Sequence, residues 1–111
     1  MMDIQQKDLN DVTVFTVKGR VDSEGAVDLD LALRTATTEG KHKMVLELSD
    51  VRYMNSSGLR TLADILTQNR ADGGDLKLAA MNPKVLRVLQ IIGFEKFFNI
   101  YPTIDAAVKS Y

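Results

Sequence analysis

Two adjacent hydroxyl groups, those of Ser56 and Ser57, follow a short apolar run and precede a helical pattern. The run Met44–Leu48 predicts a buried strand. Apolar residues spaced i, i+3, i+4 and i+7 then form the inner stripe of a helix: Leu59, Leu62, Ala63 and Leu66. Either serine can cap this helix, because its oxygen accepts a hydrogen bond from an unpaired backbone N–H. The same N–H groups and the helix dipole favour a phosphate, so we predict that this strand-to-helix junction is the functional site.

Catalytic and metal-binding alternatives find little support among the other residues. The junction has the location of a hydrolase nucleophile elbow, but neither serine has a glycine two residues before it. The sole histidine, His42, lies between two lysines in a polar connector, where we expect it to be solvated. Gly40-Lys41 lacks P-loop spacing, there is no cysteine, and no His/Asp/Glu cluster suggests a metal. We therefore expect no enzyme activity, no metal and no cofactor.

Composition limits the organisation and the partners of the chain. With 111 residues, it has room for one ordinary core, so we expect a single domain spanning residues 1–111. Its net charge of −1 implies no strong electrostatic attraction to nucleic acid or to an anionic membrane, so we expect no direct binding of nucleic acid and no membrane insertion. No apolar run approaches the ~20 residues that span a bilayer, and no secretory signal is present at the N-terminus. We expect a cytoplasmic protein.

Strand and helix patterns alternate along the chain. A hairpin is predicted from Ile4–Leu9 and Val12–Val17, with a turn at Asn10-Asp11 and with Gly19 ending the second strand. Asp22 and Ser23 can both cap a first helix, which Gly40 closes. Its apolar pattern comprises Val27, Leu29, Leu31, Leu33 and Ala36.

The second half repeats the alternation. The second helix, in which Ile65 points off the inner stripe, ends near Ala71, and a strand follows at Leu76–Ala80. Asn82-Pro83 begins a third helix that Gly93 stops, with Val85, Val88, Leu89 and Ile92 turned inward. A fifth strand is predicted at Phe97–Ile100, and Pro102-Thr103 starts a final helix. Met54 is predicted to be a core residue, and so is the cluster of Phe94, Phe97 and Phe98 near the end of the chain. The order ββαβαβαβα predicts an α/β fold with a central mixed, mostly parallel β-sheet and helices packed against it.

Three stretches of this chain resemble the STAS domain family, specifically its stand-alone anti-sigma factor antagonists. Val17–Asp22 is similar to the family's Gly-x-Leu/Ile-Asp turn, and Val51–Leu59 to its hydrophobic-Asp-Ser-Ser/Thr-Gly-Leu signature. Ile92–Tyr101 is similar to its Gly-Leu/Phe-x-x-x-Phe closing segment. The resemblance covers nearly the whole chain and implies the STAS fold.

The resemblance also implies a bacterial phosphoprotein that regulates transcription by partner switching. The unphosphorylated form of such a protein binds an anti-sigma factor that is also a serine kinase of the GHKL type, and this releases the sigma factor. The kinase then phosphorylates the second serine of the signature, and a PP2C-type phosphatase resets it. By position the acceptor is Ser57, with Ser56 as the alternative, and capping alone remains the competing explanation for both serines. We expect the chain to be a monomer or a weak dimer.

Further residues at the expected partner surface follow from the same comparison. Asp22 matches a motif aspartate there, although it can equally be only a helix cap. Asn55 stands where the family usually has Asp, which keeps hydrogen-bonding capacity but removes charge, and Arg20 stands where relatives often carry an acidic residue. Ser56 and Gly58 complete the predicted surface. Gly58 either lets a partner backbone approach or packs closely against the sheet.

Other STAS domains provide the alternative function. They serve as cytoplasmic subunits of lipid-transport ABC systems, as parts of stress-sensing assemblies, or in other partner-switching regulators. In each case the domain docks on a partner that is not a sigma-factor inhibitor. The serine pair favours a kinase-coupled switch.

Overall fold

The computed structural model describes all residues, 1–111, as five strands and four helices around one sheet. The strands are β1 (Met2–Leu9), β2 (Val12–Val21), β3 (Lys43–Met54), β4 (Asp75–Ala79) and β5 (Ile100–Tyr101). The helices are α1 (Ser23–Thr38), α2 (Ser56–Ala71), α3 (Pro83–Ile92) and α4 (Ile104–Lys109). This order confirms the predicted ββαβαβαβα arrangement. None of the helices combines the length and the apolar character needed to cross a bilayer.

The sheet runs in the order β1-β2-β3-β4-β5, so strands that follow one another in sequence are neighbours in space. β1 and β2 form the predicted antiparallel hairpin, and its turn places Asn10 at a φ of 60°, a region that asparagine tolerates well. The remaining pairs are parallel. The sheet is therefore mixed and mostly parallel, as predicted.

Helices cover both faces of the sheet, and they do so unequally. α1, α2 and α3 all contribute to the main core on one face, whose fully buried side chains include Phe15, Leu29, Leu46, Leu62 and Leu89. α4 packs on the other face over a smaller cluster that contains Val12, Val14, Val45, Ala79 and Ala107. Ile104 and Val108 of this helix, and Tyr111 after its end, pack against the same cluster.

Two strands are longer than their apolar runs predicted. β2 continues through Gly19, which was expected to end it, and β3 continues to Met54 rather than stopping at Leu48. The polar residues of the extension still pair across the strands, as Arg20 does with Tyr53. Gly19 has a φ of 102° and lies at a shift in register, so it bends the strand without ending it.

The position of each helix decides which apolar residues are covered. Val88 and Ile92 were predicted to face inward but are 41 and 48% exposed. In the apolar pattern of α1, Val27 and Leu31 are 67 and 66% exposed. Ile65, predicted to point off the inner stripe, is fully buried. Because α2 packs against α1 as well as against β3 and β4, a wide arc of its surface is covered.

The predicted strand at Phe97–Ile100 is wrong over most of its length. Residues Phe94–Phe97 form a 3-10 turn after Gly93, which ends α3 in the left-handed conformation with a φ of 79°. Of the phenylalanines predicted to be core residues here, Phe98 is buried, whereas Phe97 is 59% exposed. Met54, the other predicted core residue, is buried at the end of β3. The strand itself is reduced to Ile100 and Tyr101, which pair with Leu78 and Ala79 at the end of β4.

A buried polar cluster joins α1, α2 and β4 at the end of the sheet where β4 begins. The fully buried Asn69 accepts a hydrogen bond from the Thr37 hydroxyl (2.9 Å) and donates one to the Asp75 carbonyl (3.3 Å). The Asp75 carboxylate in turn accepts hydrogen bonds from Arg70 and Asn99, each at 3.0 Å. The Thr37 hydroxyl, the Asn69 amide and the Asp75 carboxylate are thus all hydrogen-bonded, as burial requires.

Candidate functional site

The two serines lie at the end of the molecule where β2 and β3 finish side by side. Val21 pairs with Met54, and the Asn55 N–H donates to the Val21 carbonyl at 2.9 Å. α1 and α2 therefore begin next to each other. Their N-termini place two sets of unpaired N–H groups and two positive dipole ends at the carboxyl ends of β2 and β3.

Each of the two helices is capped by an Asx side chain, not by a serine. The Asp22 carboxylate accepts a hydrogen bond from Gly25 N–H at 2.9 Å, and the Asn55 amide oxygen accepts one from Gly58 N–H at 3.0 Å. Of the two caps predicted for α1, Asp22 is confirmed and Ser23 is not, and the predicted capping of α2 by Ser56 or Ser57 is wrong. The extra length of β3 places Asn55 at the cap position, where Asn and Asp are strong caps.

The two junctions repeat one tetrapeptide pattern that the sequence analysis missed. Asp22–Gly25 and Asn55–Gly58 both read Asx-Ser-x-Gly. The copies also touch, because the Asn55 amide nitrogen donates to the Ser23 hydroxyl at 3.3 Å. Comparing the two strand-to-helix junctions with each other would have revealed both the shared cap and the place of Ser23.

Close packing explains the glycine at both junctions. A Cβ atom on Gly58 would lie 2.7 Å from Met54 Cγ and 2.8 Å from Val21 Cγ1, and one on Gly25 would lie 2.9 Å from the Arg20 carbonyl oxygen. Gly58 is buried, which favours the packing explanation that the sequence left open. Any contact between Gly58 and a partner stays a prediction.

Both hydroxyls of the serine pair are exposed and make no hydrogen bond within the chain. Ser57 lies in the first turn of α2 and lines a groove between α1 and α2, together with Ser23, Ala26, Val27, Asp30, Arg60, Thr61 and Asp64. Since Asn55 caps the helix, the Ser57 oxygen is left free. The hydroxyl is accessible to another protein from the groove side.

Two arginines lie near the junction, Arg20 on β2 and Arg60 on α2. The Arg20 guanidinium lies over the Tyr53 ring, 4.3 Å from its centroid, which fixes both side chains beside the junction. Arg60 is exposed, forms no ion pair, and lies one helical turn after Ser57, where side chains three residues apart are neighbours. Asp30, across the groove, is already bound by Arg34 at 2.8 Å.

The carboxylate of Asp22 is stabilised in its charged form at the start of α1. The hydrogen bond from Gly25 N–H, helped by the positive charge of Arg20, holds the pKa of Asp22 below its ordinary value. Asp22 is only half-buried, so the carboxylate can also be reached from outside. The structure thus gives Asp22 a capping role, and its role in docking stays a prediction.

We expect Asp22→Asn to remove part of the acid sensitivity of folding. A carboxylate whose pKa is lowered in the folded state stabilises the protein above its unfolded pKa of about 3.9, and this stabilisation is lost as the pH falls through the folded value. Asn keeps the capping oxygen but does not titrate. Urea unfolding between pH 7 and pH 2 should show the wild type more stable at neutral pH and equal to the variant at the acid end. A constant difference at all pH values would contradict this assignment.

The histidine lies far from the serine pair. His42 directly precedes β3, at the opposite end of the strands from the serine pair. There its carbonyl accepts a hydrogen bond from Asp75 N–H, and its ring nitrogen lies 3.7 Å from the Asp72 carboxylate. His42 was predicted to be solvated, but only about a quarter of its side chain is exposed (27%). The structure therefore does not bring it near Ser57 as a general base.

Comparisons with known proteins identify relatives over almost the whole chain. The sequence model of the STAS domain family matches residues 3–107. BtrV of Bordetella bronchiseptica, provisionally named an anti-sigma factor antagonist, is 27% identical over 110 residues, covering 99% of this chain and 95% of the relative. The anti-sigma-B factor antagonist of Bacillus subtilis is 27% identical over 108 residues, covering 97% and 96%. These relatives are named as regulators of sigma factors and not as enzymes.

A solved structure agrees with the same grouping. The crystal structure of an anti-sigma factor antagonist from Mycobacterium paratuberculosis superimposes with a TM-score of 0.89 at 27% identity, covering 99% of this chain and 93% of that one. The predicted fold is thereby confirmed. None of the comparisons tests the roles of Arg20, Asp22, Asn55, Ser56, Ser57 or Gly58, and these remain predictions.

Proposed function

This chain belongs to the STAS domain family, and we propose that it is an anti-sigma factor antagonist whose activity is switched off by phosphorylation of Ser57. Its relatives from Bordetella bronchiseptica and Bacillus subtilis carry names of this kind. The unmodified chain would bind an anti-sigma factor with GHKL-type serine kinase activity in the cytoplasm and so free a sigma factor. A PP2C-type phosphatase would return the phosphorylated chain to the active pool.

The observation that carries the proposal is the exposed Ser57 hydroxyl, which has no hydrogen-bond partner within its own chain. Asn55 performs the capping, so a phosphoryl group on Ser57 removes no hydrogen bond from the fold. A phosphoserine adds about −1.5 to −2 charges at neutral pH. In the first turn of α2, this charge meets free N–H groups and the exposed Arg60, which favour it.

A bound partner would face the opposite situation. Where its surface covers Ser57 with apolar or acidic groups, the phosphate is desolvated without a cation, which is costly. The covalent change therefore weakens the complex while the domain stays folded. Arg20, Asp22, Asn55 and Ser56 surround the same junction and would form the rest of the docking surface.

Mass mapping of the modified residue tests this proposal directly. We expect that incubation with ATP and the GHKL-type anti-sigma factors of the same organism adds one phosphoryl group to the peptide that contains Ser56 and Ser57. The modification should be lost in Ser57→Ala and kept in Ser56→Ala, which is the matched control because both serines are exposed. Modification that persists in Ser57→Ala would place the switch elsewhere. No modification by any such kinase would favour the alternative, a docking subunit of a transport or stress-sensing system.

A further inference from the structure

A small cavity opens between the end of β3, the first turn of α2 and the first two turns of α3. α3 reaches this position because its cap, Asn82, donates hydrogen bonds to carbonyl groups of β3. The cavity measures about 150 Å³, and its lining includes the Tyr53 ring, Met54, Leu59, Val85 and Val88. Tyr53 and Val88 are 40 and 41% exposed, so the cavity is open to the surface. A space of this size accepts one group about as large as a benzene ring.

Four cations surround this cavity, and we call them the basic patch: Arg20, Arg52, Lys84 and Arg87. Arg52 and Lys84 line the cavity itself, and Arg20 lies over the Tyr53 ring. Arg87 stands one turn after Lys84 on the outer side of α3. All four side chains are exposed, and none of them forms an ion pair within the chain. Their charges are therefore available to another molecule.

The carboxylates nearest in the fold do not neutralise the basic patch. Asp22, beside Arg20, accepts a hydrogen bond from Gly25 N–H, and Asp50 stands opposite Lys18 in the register of β2 and β3. The net charge of the whole chain is −1, so the patch is a local concentration of positive charge and not a property of the entire surface. Charge complementarity favours an acidic occupant here.

We propose that the cavity and the basic patch bind an acidic segment of the anti-sigma factor. One apolar side chain of that segment enters the cavity, and its carboxylates pair with the surrounding cations. An apolar anchor in a pocket with a charged rim is the usual arrangement of a protein interface, and arginine binds carboxylates through two parallel hydrogen bonds. This inference rests on the proposed function and deepens it, because it names the chemistry of the partner's contact surface.

The cavity is continuous with the serine junction. Leu59, which lines it, stands two residues after Ser57, and Tyr53 and Met54 end β3 directly before the cap Asn55. The groove between α1 and α2 that contains Ser57 and the cavity beside α3 therefore both border the first turn of α2. A protein that covers Ser57 reaches the basic patch without any rearrangement of the chain.

An acidic contact surface also accounts for the direction of the switch. A phosphate on Ser57 would lie next to the carboxylates of the bound segment, so repulsion between like charges adds to the cost of desolvation. In the free chain the same phosphate meets no such carboxylates and is favoured by the start of α2. Nucleic acid is a poorer match, because the four cations encircle one cavity and do not form a stripe along the surface.

Calorimetric titration with a GHKL-type anti-sigma factor of the same organism tests the proposal through two double variants. Lys84→Gln/Arg87→Gln removes two attractive charges and should raise the Kd about 5-fold. Lys84→Glu/Arg87→Glu adds repulsion and should raise it about 30-fold or more. The difference between the Glu variant and the wild type should shrink as NaCl is raised from about 0.05 to 0.5 M, because salt screens exposed charges. Both variants should unfold at nearly the wild-type temperature, since both positions are exposed.

Two single variants make the result specific to the cavity and its rim. Val88→Trp places a ring in the cavity and should raise the Kd about 10-fold at every salt concentration. Lys7→Glu is the charge-matched control; it is exposed on β1 and pairs with Val14 near the hairpin turn, at the other end of the strands. Its Kd should stay within about 2-fold of the wild type.

The outcomes separate this inference from the proposed function. A wild type that binds the anti-sigma factor no more tightly than the Glu double variant or Val88→Trp would overturn the inference and leave the proposed function standing. Equal losses in the Gln and Glu variants would overturn it too, because the effect would then not depend on repulsion. A wild type that binds no anti-sigma factor would end both proposals. Binding of a single-stranded RNA oligonucleotide that the Glu variant loses would assign the patch to nucleic acid instead.

Discussion

Replacing Ser57 with Glu is expected to weaken binding of the anti-sigma factor about 100-fold or more while the domain stays folded. The carboxylate takes the place of part of the phosphate charge on an exposed position. Within the chain, a negative charge in the first turn of a helix is favourable by about 0.3–1 kcal/mol. In the proposed complex, the same charge would be covered without a cation, and a loss of about 3 kcal/mol corresponds to a hundredfold change in Kd.

Calorimetric titration against a GHKL-type anti-sigma factor of the same organism measures this effect. Ser57→Gln is the matched control, because Gln has nearly the shape of Glu without its charge. It should retain most of the affinity, and both variants should unfold at nearly the wild-type temperature. Equal affinity of the Glu variant and the wild type would rule out a charge-based switch at this residue, and equal weakening by Gln and Glu would assign the effect to size.

Asn69→Ala is expected to lower the free energy of unfolding by about 2–4 kcal/mol, through loss of the polar cluster between α1, α2 and β4. Asn69 is fully buried and pairs the Thr37 hydroxyl and the Asp75 carbonyl. Alanine leaves both groups without a partner and leaves space where the amide had been. For a domain of this size, the unfolding temperature should fall by roughly 8–15 °C.

Thermal unfolding followed by circular dichroism checks this effect, with Gln68→Ala as the neighbouring control. Gln68 is exposed on the same helix turn, and its side chain accepts one hydrogen bond, from Arg34 at 3.5 Å. Its replacement should change the unfolding temperature by at most a few degrees. A drop of similar size in both variants would mean that the turn of α2, and not the buried amide, supplies the stability.

Local rules accounted for the order of elements and most of their ends. Asn10 at the hairpin turn, Pro83 at the first position of α3 and Gly93 after its end are each the residue type that the local backbone requires. The capping oxygen of Thr103, 3.0 Å from Ala106 N–H, belongs to the same class. Such features depend on a few neighbouring residues, so the sequence shows them directly.

The serine pair was predicted to follow a strand and begin a helix, but the capping of that helix was assigned to the serines and not to Asn55. The signature of the family placed the serine pair at the start of α2, which the structure confirms. The sequence could not show that β3 runs on to Met54, because that extension is held by pairing with β2, a strand more than thirty residues earlier. That pairing puts Asn55 at the cap and so leaves Ser57 unbonded.

By itself, the sequence determined the fold class, the turns and the place of the serine pair, since these follow from short-range sterics, hydrogen bonding and apolar periodicity. Only the tertiary structure decided which apolar side chains are covered. Periodicity marks an apolar stripe on α1 and α3, but the width of the covered arc depends on neighbouring helices, which bury Ile65 of α2 and leave Leu31 and Ile91 exposed. The unbonded Ser57 hydroxyl is likewise a result of long-range pairing, that of β2 with β3.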